Sequence, residues 1–483
     1  MTGPAVATVV VVGSGITAWS TAAAVKRRIP LLDVTIIPAP VDPAALADRM
    51  IGTLPSIHGF HHDIGLTDED AIARSRSGLR AGTLFEDWVE GLPDYIHAYG
   101  PYGAPIGGVS FHQLWVREGR HAELPPFDRF SRAADLARAG NSQLIDIGEA
   151  GLQLSLDLYS TMIRAFARHV GVRERNAAVR GVRLNSADGF INDLQLEDAT
   201  SFSADLYIDC SGPSALLRSE MAGSFLDWCD WLPCDRLAFG RGSPIAQAIA
   251  LDRVTAVDAG WRWTGSSPDA SSSGIAYSSA HAPAIDLEAT IIGAREEIKL
   301  RQGRWDEPWK GNCVAIGDSA VSVEPLEWTN LHLVHSQIDR LIAMIPGKDC
   351  APVELAEFNR QCTAEADRIR DFLCLHYVSS RRPEPFWREA SEIAPPASLA
   401  HTLSQFAERG RLPYYEEETF ARDSWLAVLL GQGFEPRSTD PLAELVGPAQ
   451  ALQAIRAMRQ SLERSAPFIP ASNPIDLNPR GAR

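Results

Sequence analysis

The chain has 483 residues, 45% hydrophobic and 22% charged, which supplies a large core and excludes a disordered or fibrous polymer. Its formal net charge of -16 is spread along the sequence, so neither nucleic acid nor an anionic membrane surface is expected as a partner. The first apolar run, residues 9–12, is too short to cross a bilayer, follows no basic segment and leads into glycines; a cytoplasmic protein is expected.

Thr8–Val12 is a continuous β-branched run, as expected of a strand buried on both faces of a parallel sheet. Gly13-Ser14-Gly15-Ile16-Thr17-Ala18 follows, then an Ala-rich helix over residues 17–28 and a strand over Asp33–Ile37, which together read as a βαβ unit. Glycines at such a turn let the backbone approach a pyrophosphate on the helix N-terminus, so Gly13, Ser14, Gly15, Ile16, Thr17 and Ala18 are candidate dinucleotide-binding residues. The second strand ends in Pro38-Ala39-Pro40, without the acid that takes ribose hydroxyls; Asp42 or backbone groups would substitute. A helix over residues 154–170 and strands over Val179–Leu184, Ile191–Leu196 and 205–209 are expected to return the chain to the same sheet, with a further return at 313–316. There Gly317-Asp318 offers a glycine that clears space near a ring and a carboxylate that accepts from ribityl hydroxyls. After Pro346 the chain is expected to be mostly helical, and residues 472–483 to be loose.

The seven cysteines, Cys210, Cys229, Cys234, Cys313, Cys350, Cys362 and Cys374, are odd in number and scattered, so free thiols are expected. Cys229 and Cys234 read as packing residues rather than redox partners. His61 and His62 are adjacent and diverge on a helix or a strand, so no metal site is expected from His58, His61, His62 and Asp63. Glu416-Glu417-Glu418 reads as a solvated face, with contact to a basic partner as the alternative.

Several ordered stretches carry a family resemblance: Thr53-Leu54-Pro55-Ser56, His97-Ala98-Tyr99-Gly100, residues 204–212 including Gly212, and Gly260-Trp261-Arg262-Trp263. Residues 311–317, Glu324-Pro325-Leu326-Glu327, residues 369–377 and Pro385-Phe386-Trp387 continue the series. In these the chain resembles the flavin-dependent tryptophan halogenases over roughly residues 8–440. The resemblance implies an α/β (α+β) fold with a flavin monooxygenase-type Rossmann core over 1–345. That core would be discontinuous, with substrate-domain insertions around 55–150 and 218–300 and a helical region over 346–483. It further implies FAD held by the Gly13 loop, Gly212, Gly317 and Asp318, and reduced flavin reacting with oxygen to give a C4a-hydroperoxide. NAD(P)H would reduce the flavin directly or through a flavin reductase.

Four departures from the family pattern bear on the chemistry. Arg80 stands where the family has a lysine, and a guanidinium stays protonated, so it donates hydrogen bonds but offers no free amine; a surface ion pair is its bland alternative. Trp328-Thr329-Asn330 replaces a Ser-Thr-Gly halide cradle, although Trp328 could equally be core. Trp261 and Trp263 are followed by Thr264-Gly265-Ser266 instead of the full WxWxIP signature, while on the bland reading the two tryptophans share one face of a strand. Asp318 restores the Gly-Asp pair of flavin hydroxylases. Together they lead to the expectation of an FAD-dependent monooxygenase hydroxylating an indole or phenol ring, with Arg80 and Glu327 as candidate catalytic residues. Among relatives lacking the lysine, the chain resembles the monooxygenases that hydroxylate a protein-bound tryptophan in tryptophylquinone biogenesis, so a tryptophan-containing protein or peptide joins the candidate substrates. A halogenase with an atypical site and a catalytically idle assembly partner are the alternatives.

Overall fold

In a computed structural model of the protein, residues 4–243, 250–282, 291 and 293–465 are described; the expected loose tail at 472–483 lies outside them. β1 (Thr8–Val12) pairs in parallel with β2 (Asp33–Ile37) on one side and with Leu206–Asp209 on the other. Val9 and Val11 pack into one hydrophobic core, Val10 and Val12 into another, which is why the strand reads as unbroken valine rather than as an alternation. α1 (Ile16–Arg28) leaves the β1 turn and packs against helices Leu156–His169 and Asn330–Ala343. Its small Ala22, Ala23 and Ala24 are all buried.

Cys313–Ala315 joins the sheet in parallel beside Leu206–Asp209, as the sequence suggested. Val179–Leu184 and Ile191–Leu196 do not return to it; with Ser201–Phe202 they form a separate antiparallel sheet. The reason is in their pattern: exposed residues interrupt both strands, as in a half-buried hairpin rather than a central strand. That hairpin covers Val10 and Val12 with Val179, Ile191, Leu194 and Leu196.

β3 (Gly78–Arg80) pairs with Gly151–Gln153. β4 (Gly82–Glu86) and β5 (Tyr95–Ala98) complete a seven-stranded sheet whose other members come from residues 236–299. Among the described residues its only parallel pairing is that of β4 with Leu251–Val257. Beyond residue 346 the described chain is mainly helical, led by the 27-residue helix Pro352–Val378 with Pro at its first position, where a missing N–H costs nothing. Its second half is almost continuously buried and carries Phe372, His376 and Tyr377 inward. Among the described residues no helix is long and apolar enough to cross a membrane.

Candidate active site

A cleft of ≈ 450 Å³ opens at the C-terminal ends of β1 and β2, lined by Gly13, Ser14, Gly15, Asp42, Arg49 and Ser211 among others. A Cβ at Gly13 would come 2.5 Å from the Cys210 carbonyl oxygen and 2.8 Å from Ala18 Cβ, so the turn admits only glycine there. The N-terminus of α1 is aimed at this cleft and has a carboxyl on it, raised above its ordinary value by burial: Asp48 Oδ1 accepts from Thr17 N at 2.7 Å and from Thr17 Oγ1 at 2.8 Å. The loop therefore has the donors and the backbone shape that a pyrophosphate needs, with the Asp48 carboxyl as stand-in; FAD fits this cleft. Asp42, the substitute for the missing ribose acid, lines the cleft and accepts from Ala44 N at 2.9 Å and Ser214 N at 3.0 Å.

Other expected flavin contacts sit behind this surface. Asp318 accepts from Ala47 N at 2.8 Å and is 5% exposed; burial, then the nearby Asp48 and Asp42, push its carboxyl well above the usual range. Gly317 donates to Gln337 Oε1 at 2.7 Å, and Gly212 to Ser319 Oγ at 3.0 Å. These three shape the wall below the cleft and do not line it.

Arg80 and Glu327 are both buried in the interior. Arg80 is wholly buried, not a surface pair: it is bonded to Asp252 and to the Tyr99 hydroxyl, and donates to Thr83 Oγ1 at 2.6 Å. Strand register places Asp252 beside Thr83 and Thr83 beside His97, so counter-ion, hydroxyl and imidazole lie in one row across the sheet. A Cβ at Gly265 would overlap the Asp252 carboxyl; the glycine within Thr264-Gly265-Ser266 is thus the room that Arg80's counter-ion occupies. His97 Nδ1 lies 3.0 Å from Glu327 Oε1, and His376 Nε2 3.2 Å from the same oxygen. Burial alone would raise the Glu327 carboxyl, but His97 and His376 outweigh it and hold it at about 2, while burial pushes His376 below its usual value.

Trp328 has φ 59°, a left-handed backbone that a bulky residue adopts at a cost of about 1–3 kcal/mol. Its ring packs on Gly52, where a Cβ would overlap it, and edge-to-face with Trp263 at 6.1 Å. Trp261 and Trp263 share a buried face of their strand, with Arg262 exposed between them. Around Glu327 several buried polar atoms have no hydrogen-bond partner among the described residues: Glu327 Oε2, His97 Nε2, Trp263 Nε1, Trp328 Nε1 and Thr329 Oγ1. Such a concentration is unusual away from a functional site.

Phe372 and Phe420 connect this cluster to a second cleft. Phe420 stacks on Phe372 at 3.8 Å, and both rings lie near His97. The cleft, ≈ 340 Å³, is lined by Tyr414, Tyr415, Phe420, Trp425, Arg368 and Glu418 among others. Sequence reasoning passed over Tyr414, Tyr415, Phe420, Trp425 and Arg368 and over Asp252; the aromatic pair Tyr414-Tyr415 was the available signal. The acidic run beside it is paired rather than simply solvated: Glu416 with Arg360, Glu417 with Arg340 and Glu418 with Arg368.

The chain is 26% identical to tryptophan 6-halogenase SttH of Streptomyces toxytricini, over 93% of this chain and 94% of that one. Among solved structures it is similar to BrvH, a flavin-dependent halogenase from Brevundimonas sp. BAL3, with TM-score 0.88 and 32% identity, covering 96% and 97% of the two chains. Xcc4156, a flavin-dependent halogenase from Xanthomonas campestris, superposes with TM-score 0.89 at 29% identity, covering 96% of each.

These comparisons overturn the expectation of ring hydroxylation, and with it the tryptophylquinone reading. That expectation treated four departures as a change of chemistry. The structure gives three of them local packing reasons: Gly265 accommodates Asp252, Trp328 fills the space above Gly52, and Asp318 turns onto Ala47 N. The fourth, Arg80, is neutralised within the fold by Asp252. The protein is a flavin-dependent oxidoreductase with FAD as cofactor. The profile of the family described as tryptophan halogenase matches residues 8–448, and the chain belongs to that family.

Proposed function

We propose that this protein halogenates an aromatic, indole-type substrate, using FAD reduced by NADH through a separate flavin reductase. The observation that carries the reading is the buried Glu327, set between His97 and His376 with its Oε2 unpartnered among the described residues, in a chain of this family. FAD would rest on the turn Gly13, Ser14 and Gly15, with Ile16, Thr17 and Ala18 forming the buried helix start behind it and Gly212, Gly317 and Asp318 shaping the wall beneath. Bound and reduced, the cofactor supplies, with dioxygen and halide, an electrophilic halogen.

The chain's residues then do four things. Phe420, Trp425 and Tyr415, with Arg368, hold an aromatic ring. Trp263 Nε1, Trp328 Nε1 and Thr329 Oγ1 are buried donors without partners among the described residues and are placed to solvate a halide. Arg80, paired with Asp252, holds the Tyr99 and Thr83 hydroxyls by hydrogen bonds and offers no amine nucleophile. When the ring carbon gains halogen, its C–H bond breaks, the electron pair returns to the ring, and the proton passes to Glu327.

The test supplies purified protein with FAD, a flavin reductase, NADH, oxygen and bromide, together with tryptophan and simpler indoles, and reads products by mass spectrometry. A bromine isotope doublet is the expected result. Oxygenated product without bromine, or no product from any indole, sinks the proposal. Glu327→Gln lowers kcat by about 10²–10⁴-fold, the usual contribution of a positioned base, with FAD affinity unchanged.

A further inference from the structure

The connection between α2 (Ile57–Ile64) and α3 (Asp68–Ser75) gathers polar side chains that halogenation does not use. α2 buries Ile57, His58, Phe60, His61 and Ile64, a spacing that sets His58 and His61 one turn apart on one face. Gly65 ends the helix with φ 87°, its N–H held by the carbonyls of His61 and His62. Thr67 then caps α3, accepting from the Asp70 amide at 3.2 Å. The turn brings Asp68 back onto α2: one ligand atom from each of His58, His61 and Asp68 lies within 4.8 Å of the others. The expectation of no metal site considered Asp63, which instead faces Arg28 at 3.6 Å. The adjacent histidines do diverge, with the His62 side chain 61% exposed and His61 fully buried.

The hydrogen bonds of the cluster leave an electrostatic gap at its centre. His58 Nε2 lies 2.8 Å from the Ala150 carbonyl oxygen, which only accepts, so Nε2 carries the proton. His58 Nδ1 faces Asp68 Oδ1 at 2.8 Å, and two lone pairs in that position need a proton or a cation between them. A second ring proton would meet that need but would leave His61 unexplained. His61 Nε2 lies 3.0 Å from the Tyr159 hydroxyl, while its buried Nδ1 has no partner among the described residues. Asp68 Oδ2 is in turn held by His62 Nε2 at 3.2 Å. Each of the three side chains therefore has an outer partner on one atom and another atom left for the centre, the pattern by which outer bonds orient metal ligands.

We propose that His58 Nδ1, His61 Nδ1 and a carboxylate oxygen of Asp68 bind a divalent transition-metal ion, Zn²⁺ by ligand type, with a solvent-side position open. The ion ties α2 to α3 and, through Ala150, to the strand Gly151–Gln153 beside β3. Gln153 donates to Asp252 Oδ1 at 2.9 Å, so the clip reaches the counter-ion of Arg80.

Untagged protein stripped with EDTA is titrated with Co²⁺, whose visible absorption reports coordination, and with Zn²⁺ in competition. One Co²⁺ per chain is expected, displaced by Zn²⁺. His61→Gln and Asp68→Asn each weaken it by more than about tenfold, the effect of losing a supported ligand, while exposed His121→Gln does not. FAD binding by the same samples reports folding, and partly exposed Asp68→Asn serves if His61→Gln fails to fold. Absence of a one-to-one Co²⁺ complex, or a Kd that Asp68→Asn leaves within about twofold of the parent, overturns the site.

Discussion

Arg80 was legible in the sequence as a departure, but its environment was not. Its counter-ion Asp252 lies 172 positions away and carries no motif, and Gly265, which makes room for it, read only as an eroded signature. What joins the three is sheet register, a non-local property that a linear pattern does not encode. The consequence is energetic. Removing one member of a wholly buried pair strands the other's charge, at a cost of about 3–5 kcal/mol, whereas replacing both by apolar groups is close to neutral. Arg80→Met is therefore expected to lower the urea midpoint sharply, and Arg80→Met with Asp252→Leu to recover most of the loss. A single variant costing less than about 1 kcal/mol, the worth of a surface pair, would show that the ion pair is not buried as described. Glu327 was similarly visible through its motif, but the two imidazoles that keep it ionised come from β5 and from the helix Pro352–Val378.

At the level of elements, the strand, glycine turn and helix over residues 8–28 were readable because all three signals are local: β-branching, glycine spacing and an alanine-rich run. The hairpin of Val179–Leu184 and Ile191–Leu196 was misplaced because strand propensity identifies a strand without naming its sheet. Asp48 illustrates a further limit, since it reaches the N-terminus of α1 from 31 positions away, outside any turn pattern. Its carboxyl occupies the amides that a pyrophosphate takes, and an anion at a helix N-terminus contributes about 0.3–2 kcal/mol. Asp48→Ala is thus expected to tighten FAD binding by about 2- to 30-fold, measured by quenching of flavin fluorescence. Unchanged or weaker binding would mean that Asp48 supports the cofactor instead of competing with it.

For the whole molecule, the seven-stranded sheet and the helical region meet around Glu324, which is fully buried. It accepts from the Tyr377 hydroxyl at 2.5 Å and from Gln302 Nε2 at 3.4 Å. Trp261 Nε1 and Cys234 Sγ complete the group around Tyr377, at 3.0 and 3.6 Å from its hydroxyl. Burial is the largest influence on Glu324 and raises its carboxyl from the ordinary 4.5 to about 7, against the lowering effect of Tyr377 and Gln302. Because the folded state then binds the extra proton, this group's contribution to stability is greatest below 4.5 and is lost as pH rises through 7. Buried His112, lowered by desolvation to about 4, works in the opposite sense between 4 and 6.5, so the parent's profile alone does not isolate Glu324. The difference between Glu324→Gln and the parent does, since glutamine keeps the shape and an acceptor for Tyr377 but carries no proton equilibrium. Urea unfolding is expected to show the variant gaining on the parent by on the order of 2 kcal/mol between about pH 5 and about pH 8. A difference that stays flat across that range would mean that water or a rearranged Tyr377 solvates Glu324 as an ordinary carboxylate.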